Sequence, residues 1–486
     1  MKSEKIQIMK FGGTSVGDAA CIRRAAEIIA ASRVAVIAVV SAMGGVTNRL
    51  IEAARASELG DAEAAGKLAS TLRKQHLSAI ETLTGNADAR KELAAEVERI
   101  LEGWSSLCRG TALLRELTPR ALDAISSVGE RMSARLMTSA LREMGRESVA
   151  VDATELIVTD AQHGRAEPLM HQTREKAAAK LLPLIEGGVI PVVTGFIGAT
   201  HDGTLTTLGR GGSDYSATIL GAALDASEVI IWTDVDGVLT ADPRLVKEAR
   251  TLREISYNEA AELAYFGAKV LHPKTLRPVI EADIPVWIRN SFQPERRGTK
   301  ITQTGHPTAR GVKAITSIND VSLITVGGRG IVGVPGIAAK TFTAVAEASA
   351  NVLLISQSSS ENDICFIVNS ADVARTVERL REAFALDLAH KQVEHIFVNS
   401  EIAIVAVVGD RMRGMPGIAG RTFSSLGRKG INIIAIAQGS SEYNVSFVVE
   451  ADAVRDAVLA VHGEFGLQRR ASRFESPESD AVLAEV

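Results

Sequence analysis

The sequence predicts an α/β protein: a parallel-sheet domain of three-layer αβα type, followed by two ferredoxin-like βαββαβ units. Three observations carry this reading. Val- and Ile-rich runs at 5–9, 34–40, 148–152, 189–194, 229–232 and 286–288 alternate with helical patterns, and alanine-rich helical stretches stand out at 19–31, 92–108 and 213–224. Near-continuous apolar strands set between helices are what a parallel sheet covered on both faces requires. The last third of the chain contains a tandem repeat, which sets the remaining architecture.

The first strand runs into Lys10-Phe11-Gly12-Gly13-Thr14-Ser15-Val16-Gly17, and a helical pattern begins near Asp18. In a strand–glycine turn–helix arrangement, backbone N–H groups come close to an anion and the helix N-terminus favours negative charge. Lys10 adds a full positive charge, so the stretch reads as a phosphate cradle. The lysine precedes the glycines, which excludes a Walker A loop, and the spacing is not Gly-x-Gly-x-x-Gly. Read alone, the stretch fits an ordinary glycine turn with a solvated lysine equally well. From about 50 to 130 the pattern is almost wholly helical and reads as an insertion on the sheet. Residues 293–307, with Pro294, Arg296, Arg297 and Gly298, read as a connecting segment or an edge hairpin. The first domain is expected to span 1–300.

In the repeat, Pro335-Gly336-Ile337 returns as Pro416-Gly417-Ile418, and Gln357 returns as Gln438 beside Ser-Ser-Glu. The offset is constant, 416 − 335 = 81 and 438 − 357 = 81. Both copies continue into a strand (364–368, 445–449) and a helix (371–382, 451–461). Each copy matches a βαββαβ unit, with boundaries expected at 315–392 and 400–470 and a polar tail at 471–486. Gly328, Gly330 and Gly333 fit a dinucleotide fingerprint. However, the next strand ends in Gln357 where an acid is needed, and the second copy lacks the glycines. They read as loop residues.

Composition bounds the rest. The 486 residues are 46% hydrophobic and 23% charged, as in soluble globular domains. The net charge of −4 argues against a broad basic field for nucleic acid. No apolar run is long enough to span a bilayer, and no signal peptide is evident. Cys21, Cys108 and Cys365 are isolated, which argues against a disulfide framework or a zinc site. A cytoplasmic protein without nucleic-acid or membrane partners is expected.

Further motifs follow in order. Ser126-Ser127-Val128-Gly129-Glu130 comes first, then Gly209-Arg210-Gly211-Gly212-Ser213-Asp214, a second glycine turn opening a helix. Thr233-Asp234-Val235-Asp236-Gly237 leads to Ala241-Asp242-Pro243-Arg244, and Gly267-Ala268-Lys269 leads to His272-Pro273. In this order, with a duplicated module behind them, these residues resemble the aspartate kinases of the amino-acid kinase family over essentially the whole chain. The repeats resemble ACT domains.

The resemblance implies transfer of the ATP γ-phosphate to the β-carboxylate of L-aspartate, giving 4-phospho-L-aspartate. This is the first step toward lysine, threonine and methionine, and it uses ATP and Mg²⁺. Phosphoryl transfer rests mainly on positioning and charge neutralisation. By resemblance, Lys10 and Lys269 contact the phosphate oxygens, and backbone N–H groups around Gly12 and Gly13 hold the same oxygens. Asp214 organises the site beside Ser213. It also reads as a first-turn acid stabilised by the helix dipole. No general base is assigned, since an aspartate carboxylate, with an ordinary pKa of about 3.9, is already ionised at neutral pH.

For the amino acid, Arg210 matches a bidentate grip on the α-carboxylate and Glu130 a partner for the ammonium. Ser41 and Thr47 add contacts. Lys10, Thr233, Asp234, Arg244 and Lys269 match nucleotide contacts, and Leu239 stands where some members carry a tyrosine. Metal ligands stay open, because Mg²⁺ commonly binds through phosphates and water. Gln357 and Gln438 are the expected effector residues, and their pattern resembles threonine-responsive forms, including bifunctional kinase–homoserine dehydrogenases. Threonine is therefore expected ahead of lysine, and a homodimer or higher homo-oligomer is expected. The end at Val486 gives the expectation that no dehydrogenase domain follows. The alternatives are a kinase for another acceptor and a non-catalytic amino-acid sensor on a kinase fold. The presence of Lys10, Arg210, Asp214 and Lys269 weighs against the sensor.

Overall fold

The computed structural model describes residues 5–268, 271–306, 308, 311–357, 362–412, 414–439 and 443–468. Lys269 and the expected tail at 471–486 lie outside these. The chain divides into two compact units, Met1–Val238 with Thr251–Ala261 and Val270–His306, and Leu239–Arg250 with Glu262–Lys269 and Pro307–Val486.

The first unit contains β1 (Ile6–Phe11), β2 (Ala35–Val40), β3 (Ser148–Val151), β4 (Ile190–Thr194), a small hairpin of β5 (Ile197–Ala199) and β6 (Leu205–Thr207), β7 (Glu228–Thr233), β8 (Glu254–Ser256), β9 (Val286–Asn290) and β10 (Thr299–Thr302). The main sheet runs β3-β4-β2-β1-β7-β9-β10-β8. Every pair in it is parallel except β9 with β10. All six strands expected from sequence are present, and residues 293–306 contain the turn and second strand of the β9–β10 hairpin, with β8 rather than the hairpin at the sheet edge.

Its helices are α1 (Ala19–Ala30), α2 (Val46–Leu59), α3 (Ala62–Leu83), α4 (Ala87–Leu114), α5 (Pro119–Ser126), α6 (Val128–Glu143), α7 (Met170–Glu186), α8 (Gly212–Ala223), α9 (Tyr257–Tyr265), which continues into the second unit, and α10 (Pro273–Glu281). The strands are apolar on both faces because helices cover both. Met9, Phe11, Ala38 and Val40 share a buried core with Ile22 of α1, Met132 of α6 and the insertion residues Leu72, Val97 and Trp104. Ile8 and Val229 point the other way, toward α8, where a Cβ on Gly221 would come within 2.6 Å of Val229. Burying one such side chain contributes about 1.5–3 kcal/mol. Among the described residues no helix is long and apolar enough to cross a membrane.

Helix starts matter for the site. Asp18 caps α1 by accepting from Cys21 N–H at 2.8 Å. By contrast, α2 and α8 begin at left-handed glycines, Gly45 (φ +75°) and Gly211 (φ +71°), and α6 begins at Ser127. None of the three has a side-chain cap, although Val46 N–H donates to Met43 O and Gly212 N–H to Gly209 O, so in α2 and α8 the candidates for a ligand are the first-turn amides after these two. The start of α6 is tightly seated: a Cβ on Gly129 would lie 2.7 Å from the Ala42 Cβ and 3.1 Å from Val46 Cγ1. Gly129→Ala is expected to cost about 1–3 kcal/mol, measured by urea denaturation, because backbone must shift to admit the methyl.

The second unit carries a six-stranded sheet of β11 (Ala314–Gly327), β12 (Leu354–Gln357), β13 (Asp363–Asn369), β14 (His395–Val408), β15 (Ala435–Ala437) and β16 (Asn444–Glu450), ordered β12-β13-β11-β14-β16-β15. The two long antiparallel strands β11 and β14 serve both repeats. The 321–327 half of β11 pairs with β13 of the first repeat. The 314–318 half pairs with the 404–408 half of β14, which continues to β16 of the second. Accordingly Val312 and Ile315 join the core of the second repeat with Phe447 and Val461, while Ile324 and Val326 join that of the first with Phe366 and Leu380. Ala241 and Val246 also enter the second core. Thr240 Oγ1 meets His462 Nε2 at 3.0 Å, and Arg250 donates to Leu467 O.

Gly328 and Gly330 have a packing role. A Cβ on either would come within 2.6 Å of the Gln392–Glu394 backbone, a close approach that explains glycine without a dinucleotide.

Candidate active site

The site forms at the carboxyl ends of β1, β2, β4 and β7, where open α/β sheets bind ligands. Lys10 lies near the end of β1 and is only 8% exposed. A buried ammonium needs a partner, and Lys10 Nζ lies 2.5 Å from Asp214 Oδ1 in the first turn of α8. Gly12 leaves room for this lysine, since a Cβ there would sit 3.4 Å from Nζ. The Gly12 N–H donates to Trp232 O at 3.1 Å. Of the amides expected around Gly12 and Gly13, the sheet uses that of Gly12, and Ser15 N–H and Val16 N–H donate to Gly12 O at 2.9 and 3.1 Å, which leaves Gly13 and Thr14 as the candidates. Gly13 packs against the next loop, with Ala42 O 3.3 Å from where its Cβ would be.

That loop begins at Ser41, whose N–H donates to Phe11 O at 3.1 Å, and ends in the first turn of α2 with Thr47. Both side chains are partly exposed. Glu130, in the first turn of α6, is 3% exposed, and its Oε2 has no hydrogen-bond partner among the described residues. Burial pushes its pKa up to about 8, opposed by the Ala42 N–H, its own N–H and the Lys10 charge. A buried carboxyl with an unpartnered oxygen suits a cationic or hydrogen-bonding group of a ligand. Ser213 is 8% exposed and lies against Gly195, where a Cβ would clash with it at 2.7 Å.

Arg210 stands on the exposed turn before α8, close enough to His272 that its charge, after burial, depresses that imidazole. Thr233 ends β7, and its carbonyl accepts from Ser291 N–H at 2.8 Å. Its hydroxyl donates to Asp234 at 3.2 Å. Leu239 and Arg244 belong to the second unit, where Arg244 pairs with Asp242 at 2.6 Å. Lys269 lies outside the described residues. Sequence reasoning missed the Ala42 N–H and the bracing of Asp236 by Asn290 (2.7 Å) and Arg296. Asp236 sits inside a quoted motif, but its partners are brought to it only by the β7–β9 pairing.

In the second unit, Gln357 ends β12 and lines a cavity of about 370 Å³ with Ile331, Pro335, Gly336, Ile337 and Ile364. Gly336, at φ +93°, opens the helix Ile337–Glu347 without a side-chain cap. Gln438 is exposed just past β15. The Ser-Ser-Glu residues beside both glutamines, 359–361 and 440–442, lie outside the described residues.

The Amino acid kinase family profile matches residues 5–290, and an ACT domain profile matches 324–384 and again 405–465. The lysine-sensitive aspartokinase 3 of Escherichia coli is 34% identical over 460 residues, covering 94% of this chain and 98% of its own. The chain belongs to the aspartokinase family. A crystal structure of E. coli aspartokinase III in complex with aspartate and ADP superposes with a TM-score of 0.78 at 33% identity, covering 95% of this chain and 99% of that one. The bifunctional aspartokinase/homoserine dehydrogenase 2 of Arabidopsis thaliana is 37% identical over 475 residues, or 96% of this chain. The chain spans about half the length of such bifunctional family members, 51% in that case. The parallel-sheet kinase fold and the paired ACT repeats are thus those of the family.

Proposed function

We propose that this chain transfers the γ-phosphate of ATP to the β-carboxylate of L-aspartate. The observation that carries the reading is the Lys10–Asp214 pair beside the buried, open carboxyl of Glu130. Lys10 neutralises phosphate charge, and Asp214 keeps its ammonium oriented before the nucleotide arrives. Ser41, Thr47 and Ser213 offer hydroxyls for the acceptor carboxylate. Glu130 receives the α-ammonium and Arg210 the α-carboxylate. The Gly13 and Thr14 amides in the turn after β1 supply fixed dipoles for the transferring group. Thr233, Asp234, Leu239, Arg244 and Lys269 are proposed nucleotide residues. Mg²⁺ is proposed as a cation carried on the nucleotide phosphates. Bound there, it would neutralise charge on the phosphates.

Domain boundaries of 1–300, 315–392 and 400–470, with a polar tail at 471–486, belong to the same proposal, as does a cytoplasmic location. ADP release, followed by a coupled assay, tests the function. Turnover that requires both MgATP and L-aspartate supports it, and ADP release indifferent to aspartate would sink it.

The repeats are proposed to bind an inhibitory end-product amino acid at Gln357 and Gln438, with the cavity at Gln357 as the favoured pocket. The Gln-x-Ser-Ser-Glu pattern favours threonine. Lysine is the second reading, supported by the related E. coli aspartokinase III solved in complex with lysine and aspartate. Gln357→Ala is expected to weaken the inhibiting amino acid about tenfold or more, as loss of one hydrogen bond to a charged ligand predicts. Inhibition curves for threonine and lysine would measure this, and an unchanged midpoint for both would remove Gln357 from the site. A homodimer or higher assembly through the repeats is supported by Ile355 and Phe397, large apolar side chains left more than half exposed on the sheet.

A further inference from the structure

A buried carboxylate outside the reacting set ties together two sides of the proposed amino-acid site. Asp123 lies on α5, the helix before the one that carries Glu130, and its side chain is 3% exposed. Its Oδ1 accepts from Thr207 Oγ1 at 2.5 Å and from Gly164 N–H at 3.1 Å. Its Oδ2 accepts from His163 Nδ1 at 2.8 Å, Gly164 N–H at 3.1 Å and Thr207 N–H at 3.2 Å. A carboxylate is costly to bury unless its lone pairs are filled. Here the donors come from two segments distant in sequence from α5.

Both segments lead to Arg210. Thr207 ends β6, directly before the turn that carries the arginine. The Gly164 carbonyl closes against the same turn: a Cβ on Gly209 (φ +80°) would meet Gly164 O at 2.8 Å. On its other side, Asp123 leads to Glu130. Its backbone carbonyl accepts from Ser127 N–H at 3.1 Å and Ser126 Oγ at 3.3 Å, at the junction where α5 passes into α6.

We infer that Asp123 is a positioning residue for the amino-acid substrate. By holding the Arg210 turn on a carboxylate of α5, the helix whose last turn runs directly into α6, it fixes the spacing between the group that grips the α-carboxylate and the group that receives the α-ammonium. This rests on the aspartate kinase reading above. Its consequence is selective. Lys10 and Thr233, on β1 and β7, have no bond to Asp123, so the nucleotide side keeps its geometry when Asp123 changes.

The test is steady-state kinetics with each substrate varied in turn, beside thermal melts. Asp123→Asn keeps the size but exchanges one accepting oxygen for an N–H₂ facing donors. It is expected to raise KM for aspartate at least about tenfold while KM for MgATP stays within about twofold. Thr207→Val removes one bond of the same network and is expected to raise the same constant by less. The double variant should fall short of the product of the two, because both break one link. Wild-type turnover dependent on both substrates is measured first, and its absence would defeat the kinase reading itself. With that turnover in hand, a rise confined to aspartate supports the inference. Equal rises in both KM values, or a lower Tm with both unchanged, overturn it. If Asp123→Asn does not fold, Thr207→Val decides by the same split.

Discussion

Replacing Lys10 with alanine is expected to lower kcat by about 10²–10³-fold, the loss found when one preorganised charge-stabilising donor is removed. The physical reason is that Lys10 does two things in one buried place. In the proposed reaction it supplies the positive charge that lets two anions, a carboxylate and a phosphate, approach each other. It also neutralises Asp214, 2.5 Å away, which would otherwise repel the nucleotide. Alanine removes both effects and leaves a carboxylate without its partner, which is why the expected loss is far beyond a surface-lysine effect. Arginine should not restore the rate: its planar guanidinium does not replace a compact ammonium in a space bounded by Gly12. Single-turnover measurements separate the chemical step from binding. A Lys10→Ala variant within threefold of wild type would remove the lysine from the mechanism.

The second large effect belongs to Glu130. Its carboxyl is buried, and its pKa is pushed up to about 8, so the free protein holds it protonated at neutral pH. A substrate ammonium needs the ionised form. Binding below pH 8 must therefore release a proton, and KM for aspartate should fall as pH rises from 6 to 8, by up to about tenfold per unit, then level off. Lys10 is the charge that already favours the ionised form, while neighbouring Arg131 is turned to Asp152 at 2.7 Å.

Glu130→Gln should abolish this slope and raise KM at pH 8 by roughly 30- to 150-fold, the equivalent of about 2–3 kcal/mol for a charged hydrogen bond. The stability sign is opposite. Between the ordinary carboxyl value of 4.5 and about 8, native Glu130 keeps a proton that the unfolded chain releases. Its contribution to stability is therefore full below that window and declines as pH rises through it. Glutamine, which does not titrate, should make the variant relatively more stable at alkaline pH while its aspartate binding is worse. A wild-type aspartate KM flat from pH 6 to 8 would contradict the account.

Much of this was legible in the sequence, for reasons visible in particular residues. Strands such as 34–40 and 229–232 were readable because both of their faces are buried, so no polar alternation interrupts them. Lys10 stood out because it ends a strand before a glycine turn, whereas Glu130 and Asp214 entered through the resemblance; the structure sets Lys10 against Asp214. What was not legible depends on pairing between distant segments. Nothing local marks the Gly12 amide as consumed by Trp232, since that bond exists only once β1 lies beside β7. Nor does anything local mark Asp123, whose five bonds come from residues 163–207. The repeat was plain from its constant offset, but the sharing of β11 between the two copies was not. That sharing follows from where each half of a 14-residue strand finds its partner.

The most direct test of the central claim is ATP-dependent acyl-phosphate formation trapped as the hydroxamate, with L-aspartate and L-glutamate as separate acceptors. The account predicts hydroxamate with aspartate, little with glutamate, and a drop on adding millimolar threonine or lysine. Amino-acid binding with no hydroxamate from either acceptor would contradict it and leave the non-catalytic sensor.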